Sequence, residues 1–436
     1  MKKVLMVGVT TLLAMVMATG CGSSNSNNSS SSTNGSTNSS SNSAAETTSA
    51  PAKDVSIKVF QFKVEIADQL NQLAKEYEKE TGVHVDVETH GGGEDYGALL
   101  KAAIASGTEP EIYNNGGYTA LVPYMDRATD LSDQSWVQNL LPTTKEPTTV
   151  DGKLYGMPMN TEGYGIIYNK DLFAKAGITT EPKTLPELTD AVKKLKDAGI
   201  TPFEATNEWW SLGIHMMNVA IANQPDPAQF VEDWKAGKTT AAGNEIFKQW
   251  LNYVDLVFKN AQKDMLTTDY ATQVATFAAG EAAMLPQGNW VQGDIDKVNP
   301  DLNLGVLPIS INDQAGHVLI GVPNNWIVNS KSAHPDEAKK FLEWMVSSDT
   351  GKKYLTTEFH FMPAETNIDA TKEDIGSIAD GVKALNSTAL GWYWDRFPDG
   401  TTQGFGAAMQ EYQGGRISQD ELLAKFDKTV ADMVKK

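Results

Sequence analysis

Apolar residues alternate with polar ones over residues 55–60, where Val55, Ile57 and Val59 flank Ser56 and Lys58, the period of a half-buried strand. The period then changes: Ile66, Leu70, Leu73 and Tyr77 fall three or four apart and predict a helix. Gly82 is placed to end it, because glycine tolerates the left-handed backbone of a helix C-cap. Residues 83–87 return to period two, so the pattern opens strand, helix, strand. Thr184 with Glu187 three residues on marks a capped helix start, and Leu188, Val192 and Leu195 carry its stripe toward Gly199. Two further helices are predicted, one from Pro335 with Ala338, Phe341, Leu342 and Met345, the other from Ser418 with Leu422, Phe426, Val430 and Met433. This alternation predicts an α/β class with mixed sheets. About 380 residues follow Val55, more than one core usually holds, so two lobes are expected.

The first residues follow a different pattern. Lys2 and Lys3 precede an apolar run over 4–17, and small residues lead to Cys21, the single cysteine. A cationic start, a short apolar stretch and small residues before the break describe a secretory signal peptide over 1–20, too short and wrongly flanked for a membrane span. Ala18, Thr19, Gly20 and Cys21 resemble a lipobox, which implies cleavage before Cys21, a diacylglycerol on its sulfur and a mature chain held to the membrane by lipid. Residues 22–50 are almost all Ser, Asn, Thr, Gly and Ala. They contain nothing able to seed a core, and as a flexible coil they reach about 30 Å. With Cys21 they make a linker over 21–53, and its length suits a thick-walled cell without an outer membrane. The expected location is therefore the outer face of the cell membrane of a Gram-positive bacterium.

Charge and cysteine count narrow the picture. The formal net charge is −19, and loss of Lys2 and Lys3 makes the mature chain more negative still, which argues against nucleic acid and anionic lipid as partners. A single cysteine allows no disulfide within the chain. Ten tryptophans are many for a chain that is 8% aromatic. Several lie among Gly, Asn and Asp instead of in helical stripes.

Four segments in order carry a resemblance: the strand–helix–strand of 55–87 with Thr81, Gly82 and Val83; residues 105–112 ending in Glu109, Pro110, Glu111 and Ile112; residues 156–170; and Gln287, Gly288, Asn289 and Trp290. In this order the chain resembles the sugar-binding group of bacterial extracellular solute-binding proteins that includes maltose-binding protein. Glu111 stands where that group usually has Asp. The resemblance covers everything after the linker and implies a two-lobed, periplasmic-binding-protein-like α/β fold with mixed sheets, a hinge and an interlobe ligand cleft. It places lobe one at 54–163 plus 314–363 and lobe two at 164–313 plus 364–436, with a first crossing near 163–165. It also implies an oligosaccharide ligand, the transmembrane subunits of an ABC permease as partner, a monomer, and neither catalysis nor a cofactor.

Sugar recognition needs flat aromatic faces for C–H patches and planar polar groups for hydroxyls. The resemblance points to Glu162, to Glu208 with Trp209 and Trp210, and to Trp290. Trp392, Trp394, Asp395 and Arg396 supply a late aromatic segment. On the first lobe it points to Gln61 and Glu65 after the first strand, to Glu94 and Asp95 after the glycines at 91–93, and to Asn114 and Asn115. The glycine run lacks the Gly-Lys-Ser/Thr of a phosphate loop. Each choice has a plainer rival. A tryptophan often fills a core, as Trp250 and Trp344 do by their helical spacing, and Trp136 and Trp234 receive no role. Glu65, Glu94 and Asp95 serve equally as solvated loop acids, Asp395 with Arg396 as a loop-fixing ion pair, and His215 as a structural histidine. The six histidines show no zinc spacing. A surface-anchored glycoside hydrolase and an adhesive lectin stand as alternatives, since paired acids beside aromatics also describe a glycosidase. Polyols and acidic sugars are the runner-up ligands, the latter resting on Arg396 and Lys63.

Overall fold

The computed structural model describes residues 55–435, so the signal peptide, Cys21 and the polar linker lie outside the described residues. Within the described residues no helix is long and apolar enough to cross a membrane. The chain lays down β1 (Ser56–Gln61), β2 (His84–Thr89) and β3 (Ile112–Asn115), then a hairpin of β4 (Thr149–Val150) and β5 (Lys153–Leu154), and β6 (Met157–Pro158). A second sheet follows with β7 (Glu162–Asn169), β8 (Thr201–Phe203), β9 (Ala282–Gly288), β10 (Leu304–Leu307) and β11 (Leu319–Gly321), before β12 (Asn325–Val328) returns to the first.

The first sheet runs β2-β1-β3-β12-β6. Its strands β1, β2 and β3 are parallel, while β12 is antiparallel to both neighbours. The helix Ala67–Thr81 ends at Gly82 with φ 77°, as its sequence requires. Its stripe, Leu70, Leu73 and Tyr77, packs on Ile57 and Val59, with Trp326, Phe341 and Trp344 completing that core. Each such side chain contributes about 1.5–3 kcal/mol on full burial.

The second sheet is ordered β10-β7-β9-β8, with β11 also on β7. All eight residues of β7 are buried, which explains why it reads as a continuous run instead of an alternation. The helix Leu185–Asp197 starts on the full Thr184/Glu187 capping box, and Ser418 with Glu421 caps Gln419–Met433 in the same way. Trp234 and Trp250 fill this core and Trp136 the other.

The chain passes between the sheets at 159–161, between β11 and β12, and again near 369–371. Residues 163–165 are therefore already inside β7, paired to β9 and β11. Residues 318–321, drawn with the first lobe, belong to the second, because β11 bonds to β7. Ala364 and Ile368, drawn with the second, are buried in the first core. Sequence alone cannot see which edge strand a short extended segment joins.

One close contact holds a wall of the later site. Residues Ser211–Met216 form a π-helix, a widened turn often kept where function needs it, and it lies on the helix Thr401–Gln413. A Cβ on Gly213 would fall 2.3 Å from Gly406 N and 2.4 Å from Thr402 O, so backbone meets backbone. Gly213→Ala is expected to lower unfolding stability by about 1–3 kcal/mol. Denaturant unfolding checks it, and an unchanged midpoint would show that the two segments have room to part.

Candidate functional site

The parallel strands β1, β2 and β3 all end on one edge of the first sheet, the edge where ligands sit in open α/β folds. The loops leaving them carry Phe62, Lys63 and Glu65, then residues 90–95, then Asn114 to Gly116, and they face a cavity of about 880 Å³. Its opposite wall comes from the second lobe: Trp209, Trp210, His215, Tyr270, Trp290, Trp392, Trp394 and Asp395. The volume lies in the range of small-molecule sites.

Glycines set the aromatic wall. Gly288 faces Tyr164 across β7 and β9, and a Cβ there would fall 2.0 Å from Trp290 Cζ3. The indole therefore lies directly over the strand, nearly parallel to the Tyr164 ring at 8° and 6.4 Å. Gly321 does the same for Trp392, whose ring a Cβ would meet at 2.7 Å. Trp392 Nε1 donates to the Leu319 carbonyl at 3.0 Å, fixing its tilt. His215, delivered by the π-helix, stacks on Trp290 at 4.7 Å and on Tyr164 at 5.3 Å. Burial among these rings, with Lys63 adding to it, pushes the imidazole down to about 3, so it is neutral at ordinary pH.

Lys63 anchors the floor. Its ammonium is buried and lies 2.6 Å from Glu65 and 2.6 Å from Glu162. Burial lowers its affinity for a proton, but the two carboxylates outweigh that and raise it, so Lys63 stays charged. Gln61 shapes this turn: its Oε1 accepts from Lys63 N at 2.7 Å while its Nε2 donates to Lys63 O at 3.0 Å. Nearby, the Tyr96 hydroxyl donates to the Phe60 carbonyl at 3.0 Å and accepts from Asn114 N at 2.8 Å.

Of the residues singled out by sequence, Glu65, Glu94, Asp95, Asn114, Asn115, Glu162, Trp209, Trp210, Trp290, Trp392, Trp394 and Asp395 line the cavity together. Gln61, Glu208 and Arg396 lie outside its lining. Gln61 points back into its own loop, Glu208 accepts from Tyr270 N at 3.4 Å, and Arg396 pairs with Glu146 at 2.8 Å while covering Tyr118 at 4.2 Å. The loop-fixing ion pair of Arg396 thus exists, but with Glu146 and not with Asp395. Asp95 caps the helix Tyr96–Ser106 through Ala98 N. His215, which by its place near Trp209 and Trp210 could line the cleft or serve as a structural histidine, is part of the wall. Phe62, Tyr96, Tyr270 and Gln403 also line it. Phe62 and Tyr96 adjoin motif residues and were within reach, whereas Tyr270 and Gln403 open helices with no local signature.

Several cavity residues keep unpaired polar atoms: Asn114 Nδ2, Trp290 Nε1, Trp394 Nε1 and one Asp395 carboxyl oxygen. Burial lifts Asp395 to about 8, with Arg396 pulling the other way. Among the described residues no group of three His, Cys, Asp or Glu is placed to hold a metal ion.

Replacing Lys63 by Met leaves two carboxylates without their counter-charge and should cost about 3–5 kcal/mol at neutral pH. Glu162 titrates above the ordinary carboxylate range because of burial, so its ionisation opposes folding once Lys63 is gone. The deficit should vanish below the unfolded carboxylate pKa and grow as pH rises through the folded one. Unfolding of both proteins from pH 4 to 8 measures it, and a pH-independent deficit would refute the electrostatic account.

A profile for the bacterial extracellular solute-binding proteins matches residues 63–352. The melibiose/raffinose/stachyose-binding protein MelE of Bacillus subtilis is 24% identical over 378 residues, covering 82% of this chain and 85% of that protein. A multiple sugar-binding protein of Streptococcus mutans is 23% identical over 352 residues, covering 78% and 81%. The solved structure of the solute-binding protein RafE in complex with raffinose shares the fold, with a TM-score of 0.76 at 22% identity over 87% of this chain and 100% of that one. With two lobes, a cleft between them and a match across most of its length, the chain belongs to the bacterial extracellular solute-binding proteins.

Proposed function

We propose that this protein is the sugar-capturing component of an ABC importer: it takes an oligosaccharide between its lobes, closes by hinge bending and hands the sugar to a membrane permease, held at the cell surface by a lipid on Cys21. The observation that carries this reading is the pairing of five tryptophans with unpaired polar atoms around one interlobe cavity. Aromatic faces suit the C–H patches of sugar rings, and unpaired donors and acceptors suit their hydroxyls. Several platforms in one cleft of this volume suit more than one ring. The relatives point the same way, being named for binding several sugars and the raffinose series. Three crossings between the lobes suit a hinge, since a few residues there absorb the rotation, and contacts made only in the closed form let a ligand favour it.

A glycosidase is the less favoured reading. Its acid and base must be free to exchange protons with the scissile bond, whereas Glu65 and Glu162 share one lysine. An adhesive lectin has no need of a cleft between two hinged lobes.

The test is thermal unfolding of residues 55–436 against mono- and oligosaccharides of α and β linkage, with the sugars analysed afterwards for cleavage. A ligand at a hundred times its dissociation constant adds about 2.7 kcal/mol. A selective upward shift with intact sugar is expected, and cleaved sugar would overturn the receptor reading. In the same assay Trp290→Ala and Trp394→Ala should each weaken binding at least about tenfold. Unchanged affinity in a folded variant would remove that ring from the site.

A further inference from the structure

Among the described residues, the cleft lining holds two lysines, and each is paired with a carboxylate. Lys63, the cation at its centre, is shared between Glu65 and Glu162 at 2.6 Å each. Lys101 pairs with Asp399 at 2.9 Å. Arg396 is turned away to Glu146 and Tyr118. The remaining charged lining is acidic, with Glu94 beside His90 and Asp95 on its helix cap. The centre thus combines one lysine with two carboxylates and carries a surplus negative charge. A carboxylate brought against it would lose its water and gain no counter-charge, which a partly buried site penalises heavily.

The two acids are not equivalent. Glu162 is nearly fully buried at the start of β7, and its Oε1 also accepts from Asn160 Nδ2 at 3.3 Å. Glu65 is more open, lines the cavity from the first lobe and contacts the same ammonium. Unpaired groups elsewhere in the lining, Asn114 Nδ2 and an Asp395 oxygen on side chains more than nine-tenths buried, call for a hydrogen-bonding ligand.

We infer that the cleft is selective for uncharged sugars over acidic ones, and that Glu65 is the residue that sets this preference by pairing with Lys63. This rests on the sugar-receptor reading above and adds to it which sugars are refused. It also answers the runner-up suggested by Lys63 and Arg396: Lys63 is held by two carboxylates, and Arg396 pairs with Glu146 outside the cavity lining.

The experiment is titration calorimetry of the full chain with raffinose and with maltotriose, each beside the derivative in which one primary hydroxyl is oxidised to a carboxylate. Wild-type protein should bind a neutral trisaccharide at least about tenfold more tightly than its acidic form. Glu65→Gln keeps the shape of the side chain and the Lys63–Glu162 pair, and should shrink that ratio by about tenfold. Asp68→Asn removes the same charge at an exposed position one turn along the chain and should leave the ratio alone. A wild-type ratio near one overturns the inference whatever the variants do. A ratio that Glu65→Gln leaves intact, or that Asp68→Asn moves equally, overturns the assignment to Glu65. Failure of wild-type protein to bind either neutral sugar sinks the sugar reading itself.

Discussion

A charge removed from water must be met by charge, and at the floor of the cleft that requirement falls on Lys63. The residue comes from the loop after β1, while Glu162 starts β7, so their contact joins the first lobe's loop to the strand that opens the second. Glu65, which also lines the cavity, meets the same ammonium. The Phe361 ring lies 5.7 Å from it. Gln61 spends its side chain on the backbone of Lys63, and this fixes where the ammonium points. The β1 loop, the start of β7 and the cleft floor therefore share one electrostatic arrangement.

On that floor stands a wall whose geometry is set by missing side chains. Gly288 and Gly321 lie on the strands either side of β7, and each lets an indole rest on backbone. Gly213 and Gly406 bring the π-helix against the helix Thr401–Gln413, which settles where His215 and Trp209 emerge. Flat rings held by glycine lose little freedom on meeting a ligand, because they are already immobile.

The segment 392–399 connects wall and floor. One side belongs to the second lobe: Trp392 bonds to Leu319, Tyr393 N to Asn218, and Phe397 packs on Trp234 and Phe405. The other side reaches the first lobe, where the Thr119 hydroxyl lies 2.7 Å from the carbonyl oxygens of both Asp395 and Phe397, and Arg396 covers Tyr118. The same stretch places Trp394 and Asp395 in the cleft. Cavity lining and lobe contact are thereby carried by adjacent residues of one loop.

Much of this was legible in the chain. Period-two and period-3.6 patterns, the boxes at Thr184 and Ser418, and Gly82 located strands and helices because they are local consequences of backbone geometry. Motifs of fixed order brought Glu162, Trp290 and the late tryptophans into consideration, and these do meet in the cavity. What tertiary structure decided was orientation and company. The lobe to which 318–321 and Ala364 belong depends on strand pairing across large sequence distances. Whether Arg396 served a ligand or a loop depended on Glu146, 250 residues away. His215 became part of the wall because a widened helical turn set it on Trp290. Lys63 looked from sequence like a cation on offer, and only the fold supplied the two carboxylates that hold it. Local pattern fixes an element's own backbone, but the charge state and exposure of a side chain belong to neighbours that no window of sequence contains.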